Sequence, residues 1–326
     1  DLLGGFARYR ALPAIEQSDY CEVGAVVSRD AAKARSVAEE YDAAPLTAEE
    51  YASGAGTDGY DAAYVITPNA RHLPDSRAAA EQGKHVICEK PLEADADRAA
   101  ELVEACEQAG VTLMTAYRLQ TDPALRRARE AVRDGLVGDP VQVHGDHSFR
   151  ILSGDRSPDQ WRLDPALAGG GALYDIGVYP LNTTRFLLDV DPVSVTGHLR
   201  SPDPDFDGVD EHAAFQVRFE SGVVGAFTAS YGAQQGQLFE VVGTEGRLAI
   251  EPPYDTEANR RLVVERGDER ATYRGEYTNE IAEQLDYFAH AAHTGTRPEP
   301  DGRGGLTDVR VLDAVQESPD GAQVDL

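Results

Sequence analysis

Glu22-Val23-Gly24-Ala25-Val26-Val27-Ser28, followed by Arg29 and the alanine-rich run Asp30 to Tyr41, decides the fold class. A short run of small and β-branched residues reads as a buried strand, and the stretch after it has helical composition. The alternation recurs downstream. Ala62 to Thr67, His85 to Cys88 and Val111 to Ala116 read as strands, and Pro74 to Gln82, Asp95 to Ala109 and Pro123 to Asp134 as helices. Strands separated by helix-length stretches predict an α/β, Rossmann-type doubly wound parallel sheet.

After Gly138 the texture changes. Strand-like alternation over 141–150, 193–200, 211–219, 223–231, 237–242 and 246–250 predicts an α+β domain with a large, mostly antiparallel, open-faced sheet. Helices are expected at Gly171 to Leu188, Glu276 to His293 and Gly305 to Glu317, and a turn-rich surface excursion over Pro252 to Arg274. The expected division is a dinucleotide-binding domain over 1–119 and a substrate-binding and oligomerisation domain over 120–326.

The beginning of the first domain is unusual. A polar leader ends at Arg10 and runs directly into Ala11-Leu12-Pro13-Ala14-Ile15, which reads as the latter part of a first Rossmann helix with no strand before it. A first strand and glycine loop are therefore expected to be missing between Arg10 and Ala11. The one G-x-G-x-x-G, Gly54, Gly56 and Gly59, neither follows a strand nor opens a helix, so it reads as a surface loop rather than a phosphate cradle.

Candidate site residues collect where strands end, as ligands do in open parallel sheets. Ser28 and Arg29, with Lys33 one turn on, offer a hydroxyl and cations in place of the usual ribose-binding acid, which suits the 2′-phosphate of NADP. Thr67, Pro68, Asn69 and His72 follow the next strand. Cys88-Glu89-Lys90-Pro91 places Lys90 at the mouth of the sheet, with Glu89 beside it. In the second half, Gly169-Gly170-Gly171 opens a helix on which Asp175, Tyr179 and Asn182 share one face by i, i+4, i+7 spacing. His144 and His147 fall on opposite faces of a strand and predict no metal site.

The order Glu89-Lys90-Pro91, Trp161-Arg162, glycine run, Asp175-Ile176-Gly177-Val178-Tyr179 resembles the Gfo/Idh/MocA oxidoreductase family, in its tyrosine branch, where Tyr179 takes a position that is histidine in many members. The resemblance implies Lys90, Asp175 and Tyr179 as the catalytic set and Trp161 and Arg162 near the cofactor. Tyr117, Arg118 and Asn182 are counted as substrate-contacting candidates. It implies NADP-dependent oxidation of an aldose at C1, D-xylose favoured, to an aldonolactone. Oxidation of a dihydrodiol, reduction of a sugar ketone and a non-catalytic NADP- or sugar-binding regulator stay open.

Composition bounds the partners. With 57 acidic against 30 basic residues the net charge is -27, which repels nucleic acid and anionic membranes. Lys33, Lys84 and Lys90 are the only lysines. An acid-rich, lysine-poor exterior reads as halophilic. Cys21, Cys88 and Cys106 form no disulfide framework and fit a cytoplasmic protein. An open sheet face predicts a homo-oligomer, dimer or tetramer. Molar salt shortens the Debye length to about 3 Å and relieves self-repulsion. The melting temperature is therefore expected to rise from dilute buffer to molar salt in a thermal scan, and an unchanged value would remove the salt-adapted reading.

Overall fold

Short branched runs become strands where helices cover both of their faces. In the computed structural model, which describes residues 4–154, 156–256, 259–275, 277–318 and 321–326, a π-helical turn Ala7–Ala11 leads into α1 (Leu12–Gln17). There follow β1 (Ala25–Ser28), α2 (Ala31–Glu40), β2 (Ala44–Thr47), α3 (Ala48–Ala52), β3 (Ala62–Val65), α4 (His72–Glu81), β4 (His85–Cys88), α5 (Ala96–Ala109) and β5 (Leu113–Thr115). The strands are parallel, as expected, yet they form two sheets: β1 with β2, and β3-β4-β5.

Two of these elements, β2 and α3, were not anticipated. Ala44-Pro45-Leu46-Thr47 is too short and too proline-marked to announce a strand, and α3 follows at once through a capping box between Thr47 and Glu50. Elsewhere aspartates start the helices: Asp30 caps α2 and Asp95 caps α5. The glycine triplet lies between α3 and β3, with Gly54 and Gly56 at positive φ, so it is the loop the spacing predicted.

Beyond β5 come α6 (Pro123–Arg133), β6 (Pro140–Ser148), α7 (Pro165–Ala168), a π-helical turn Leu173–Gly177 running into α8 (Val178–Leu188), and β7 (Pro192–Arg200), β8 (His212–Phe219), β9 (Val224–Ser230), β10 (Gly236–Gly243) and β11 (Arg247–Glu251). The expected excursion over Pro252 to Arg274 is corrected. Apart from residues 257–258, which lie outside the described set, it carries β12 (Arg261–Arg266) and β13 (Glu269–Arg274). Leu262, Val263 and Val264 are buried there, a run too short to outweigh the acidic turns around it. The chain closes with α9 (Glu280–Thr294), α10 (Gly302–Glu317) and β14 (Val324–Asp325).

Backbone contacts divide the chain into Asp1–Arg118 with Asn279–Leu306, and Leu119–Thr278 with Thr307–Leu326. The return of 279–306 to the first unit differs from the expected boundary. Its cause is α9, whose Ile281, Leu285 and Phe288 form one helical stripe packed with Ala14, Ile87, Met114 and Ala116. Glu280 also makes a buried ion pair with Arg118, and Thr115 N donates to the Pro300 carbonyl at 2.7 Å. Periodicity reports that α9 is amphipathic without saying which core it seeks.

The second unit is built on a nine-stranded sheet in the order β13-β12-β11-β10-β6-β9-β8-β7-β14, antiparallel except between β6 and β9. The π-helical turn and α8 lie against β6 and β9, which places the Asp175 and Tyr179 segment on the covered face. On β8, buried and exposed residues alternate strictly from Ala213 to Phe219, so the opposite face of the sheet is open. No helix among the described residues is long and apolar enough to cross a membrane.

Candidate active site

In the first unit the segments after β3 and β4 are stapled together by His72. The histidine is 1% exposed. Its Nδ1 lies 3.1 Å and 3.2 Å from the carbonyl oxygens of Pro91 and Leu92, and its Nε2 lies 2.9 Å from that of Thr67. The Thr67-Pro68-Asn69 turn is thus held to the loop that carries Lys90.

That loop has two further anchors. The buried Glu93 carboxylate accepts from Leu73 N at 3.0 Å and from Arg98 Nη2 at 2.8 Å. Glu89 accepts from the Tyr64 hydroxyl at 2.7 Å, and burial, reinforced by Glu89, pushes the Tyr64 phenol well up, so it remains a donor. The Lys90–Pro91 peptide is cis, and Lys90 is half-buried. Tyr117 and Arg118, after β5, are buried, Arg118 in its pair with Glu280.

At the end of β1 the Ser28 hydroxyl accepts from Asp30 N at 3.2 Å, and Asp30 Oδ1 accepts from Ala32 N and Lys33 N. The nearby acid is engaged by the helix it caps, while Arg29 is exposed. This set fits a ribose 2′-phosphate, which wants a guanidinium, better than a ribose diol, which wants a carboxylate. None of three strand-to-helix turns offers a glycine cradle for the pyrophosphate. The turns from β1 to α2, β3 to α4 and β4 to α5 contain no glycine, so none lets a phosphate approach the backbone closely.

In the second unit the glycine run serves the capping of the helix. Gly171 lies so close to the Asp210 backbone that a Cβ would stand 1.9 Å from the Asp210 carbonyl oxygen. This approach lets the Asp210 carboxylate accept from Gly171 N and Leu173 N, both at 2.7 Å, while its carbonyl accepts from Ala172 N at 2.9 Å. Three otherwise orphan N–H groups are satisfied at once.

Asp175 follows in the π-helical turn. Its Oδ2 accepts from the Tyr231 hydroxyl at 2.7 Å and from Arg162 Nε at 3.1 Å. Burial, with Asp175 adding to it and Arg162 opposing, raises the Tyr231 phenol well above its usual range, so Tyr231 is a standing donor. The Arg162 guanidinium also lies 4.5 Å over the Trp161 ring. Expected beside the cofactor, Arg162 is found locking the carboxylate.

Tyr179 stands one turn on, its ring centroid 5.2 Å from His147, edge-on, and 5.6 Å from Tyr254; His147 and Tyr254 stack at 4.9 Å. Asn182 departs from this group. Its side chain accepts from Gln120 at 3.0 Å and donates to Asp308 at 2.8 Å, in a buried network that also takes Arg185. Tyr231, His147, Tyr254 and Asp210 were missed as site residues. Only His147 had drawn notice, as half of a rejected metal pair, and a strand-end tyrosine or loop aspartate carries no spacing signal.

Comparison with known proteins identifies the family. Residues 3–117 match the model of an oxidoreductase family with an NAD-binding Rossmann fold, and residues 125–249 match a GFO/IDH/MocA C-terminal domain. The chain is 42% identical over 319 residues to a D-xylose 1-dehydrogenase [NADP(+)] of Haloarcula marismortui, covering 97% of this chain and 89% of the relative. It is 35% identical to D-xylose 1-dehydrogenase (NADP(+)) 2 of Haloferax volcanii, covering 97% and 95%. The crystal structure of aldose-aldose oxidoreductase from Caulobacter crescentus, complexed with glycerol, superposes with a TM-score of 0.93 at 32% identity, covering 99% and 97%.

Burial pushes the Asp210 carboxyl from its ordinary 3.8 up to about 6, although the Leu173 and Gly171 N–H groups pull it down. A carboxyl raised on folding binds its proton more tightly in the native state. Its contribution to stability is complete below the unfolded value and is lost as pH rises through the folded one. Relative to Asp210→Asn, the wild type is expected to gain about 2 kcal/mol of unfolding free energy between pH 7 and pH 4. Urea titrations of both at the two pH values check this, and a constant difference would contradict it.

Proposed function

The chain belongs to the Gfo/Idh/MocA oxidoreductase family, and from that premise we propose that it is an NADP-dependent dehydrogenase that oxidises an aldose, D-xylose foremost, at C1. The observation that carries the reading is Asp175 and Tyr179 one turn apart on the covered face of the sheet, the carboxylate immobilised by Tyr231 and Arg162. The activities of the haloarchaeal relatives supply the substrate class and the coenzyme.

NADP+, when bound, supplies the hydride acceptor. Tyr179 Oη takes the proton of the C1 hydroxyl as the C1–H bond breaks, so the product is a 1,5-lactone. A free phenol, with a pKa of about 10, is too weak a base near neutrality, and a cation beside it favours the phenolate form. Asp175, unable to rotate away from its two donors, orients a sugar hydroxyl. Arg29, exposed at the end of β1, would hold the 2′-phosphate with Lys33 one turn on, whereas Ser28 is fully buried. The His147 and Tyr254 rings restrict Tyr179 to one orientation.

The same reading extends to the setting of the protein. The acidic, lysine-poor composition supports a salt-adapted enzyme, and three cysteines without a disulfide support a cytoplasmic one. Exposed Val141, Val224 and Leu238 on the large sheet support assembly into a homo-oligomer.

Tyr179→Phe and Lys90→Met are each expected to lower turnover with D-xylose by about a hundredfold or more while the circular dichroism spectrum is unchanged. Near-normal formation of NADPH by both variants would remove the assignment. Arg29→Ala is expected to raise KM for NADP+ by about tenfold or more and to leave KM for NAD+ alone, since a charge-assisted bond contributes about 1.5–3 kcal/mol. Equal effects on the two coenzymes would exclude Arg29 from phosphate recognition.

A further inference from the structure

Arg260 and Arg261 stand side by side where the connection from β11 enters β12, and they are used differently. Arg261 pairs with Glu251 at the surface, an arrangement that adds little to stability. Arg260 is 5% exposed, and its guanidinium is turned into the second unit. There Nη1 donates to Asp122 Oδ2 at 2.6 Å, Nε to the Pro253 carbonyl at 3.0 Å and Nη2 to the Asp255 carbonyl at 2.5 Å. Desolvating a guanidinium is unfavourable unless its donors are met, so this is a demanding way to hold a loop and a precise one.

The two carbonyls belong to the neighbours of Tyr254 on either side. Bracketed by one rigid fork, Tyr254 is fixed again at its own ends: its backbone N donates to Gln237 Oε1 at 3.0 Å and its hydroxyl to the Leu238 carbonyl at 3.3 Å. Gln237 lies directly across the ladder from His147. The Tyr254 ring stacks on His147 at 4.9 Å and stands 5.6 Å from Tyr179. Asp122 is anchored in turn, because its Oδ1 caps α6 by accepting from Ala124 N at 2.8 Å and Leu125 N at 3.1 Å. A continuous line of contacts thus runs from a helix cap through one guanidinium to the Tyr179 ring, all within the second unit.

We propose that Arg260 is a positioning residue for the reaction: it clamps Tyr254, and through the Tyr254 ring it fixes the orientation of Tyr179. The role rests on the dehydrogenase reading, in which Tyr179 takes the proton. Without the clamp Tyr179 stays on α8 but is free to turn, so turnover falls while coenzyme affinity does not. Misplacing a reacting group by about 1 Å lowers a rate on the order of a hundredfold.

Arg260→Met is expected to lower kcat with D-xylose by about ten- to a hundredfold and to leave KM for NADP+ within about twofold. Removing one partner of a buried pair strands the other, so the same measurement is made on Asp122→Asn/Arg260→Met, in which asparagine keeps the cap. Tyr254→Leu is expected to reproduce the loss, Tyr254→Phe to retain more turnover, and Arg260→Met/Tyr254→Leu to be no slower than Tyr254→Leu alone. Wild-type kcat in a folded Arg260 variant, or losses that multiply in the double variant, overturns the proposal. A second readout involves no turnover. In protein carrying isotope-labelled histidine, the His147 ring resonances, assigned with His147→Gln, are expected to lie upfield beneath the Tyr254 ring and to move toward the free-histidine position in Arg260→Met. Unmoved resonances overturn the clamp. Moved resonances in a protein that oxidises no aldose overturn the catalytic role together with the dehydrogenase reading and leave the clamp standing, so the two failures are distinct.

Discussion

The contact on which the second unit's chemistry depends is the meeting of the Asp210 carboxylate with the N–H groups of Gly171 and Leu173. It fixes the start of the segment that carries Asp175 and Tyr179, and it ties that start to the chain entering β8. Desolvating a carboxylate is unfavourable, and the two donors only partly offset it, which is why its proton affinity rises. The return is positional. Once the first turn is immobile, Asp175 meets Tyr231 and Arg162 without searching, and a helix whose beginning cannot fray delivers Tyr179 to one place.

The first unit reaches the same end with carbonyl groups. His72 draws the oxygen of Thr67 and those of Pro91 and Leu92 to one imidazole, so two loops from neighbouring strands move as one piece. Glu93 and Glu89 grip the same loop through backbone and side-chain donors. In both units the segments that carry the candidate residues are held by buried side chains, His72 and Glu93 in one and Tyr231 in the other. Functional side chains on rigid supports lose little entropy when substrate arrives.

Much of this was legible in the residues, and the exceptions have physical causes. Val26-Val27 and Val86-Ile87 announce buried parallel strands because both of their faces meet helices, and the Asp175, Tyr179 spacing announces a common face because helical geometry enforces it. Among the described residues a π-helical turn leads into α1. What stayed hidden was contact across long separations. Nothing near Tyr231 in the chain says that it will meet Asp175, and nothing in α9 says that it packs with Met114. The edge hairpin β12–β13 was obscured by its own surroundings, for its apolar centre is three residues long and β13 is exposed throughout.

Asp30, Asp95, Asp122 and Asp164 each begin a helix by accepting backbone N–H groups. The negative surplus is therefore of two kinds: aspartates that act as joinery at helix starts, and carboxylates on outward faces such as Glu104 and Glu130, whose partners are exposed side chains. Any change of the surface charge would have to treat them separately. Outward glutamates such as Glu104 and Glu130 tolerate replacement by glutamine, whereas at exposed helix starts such as Asp30 and Asp164 asparagine or serine, which cap about as well, would remove charge without loosening the frame.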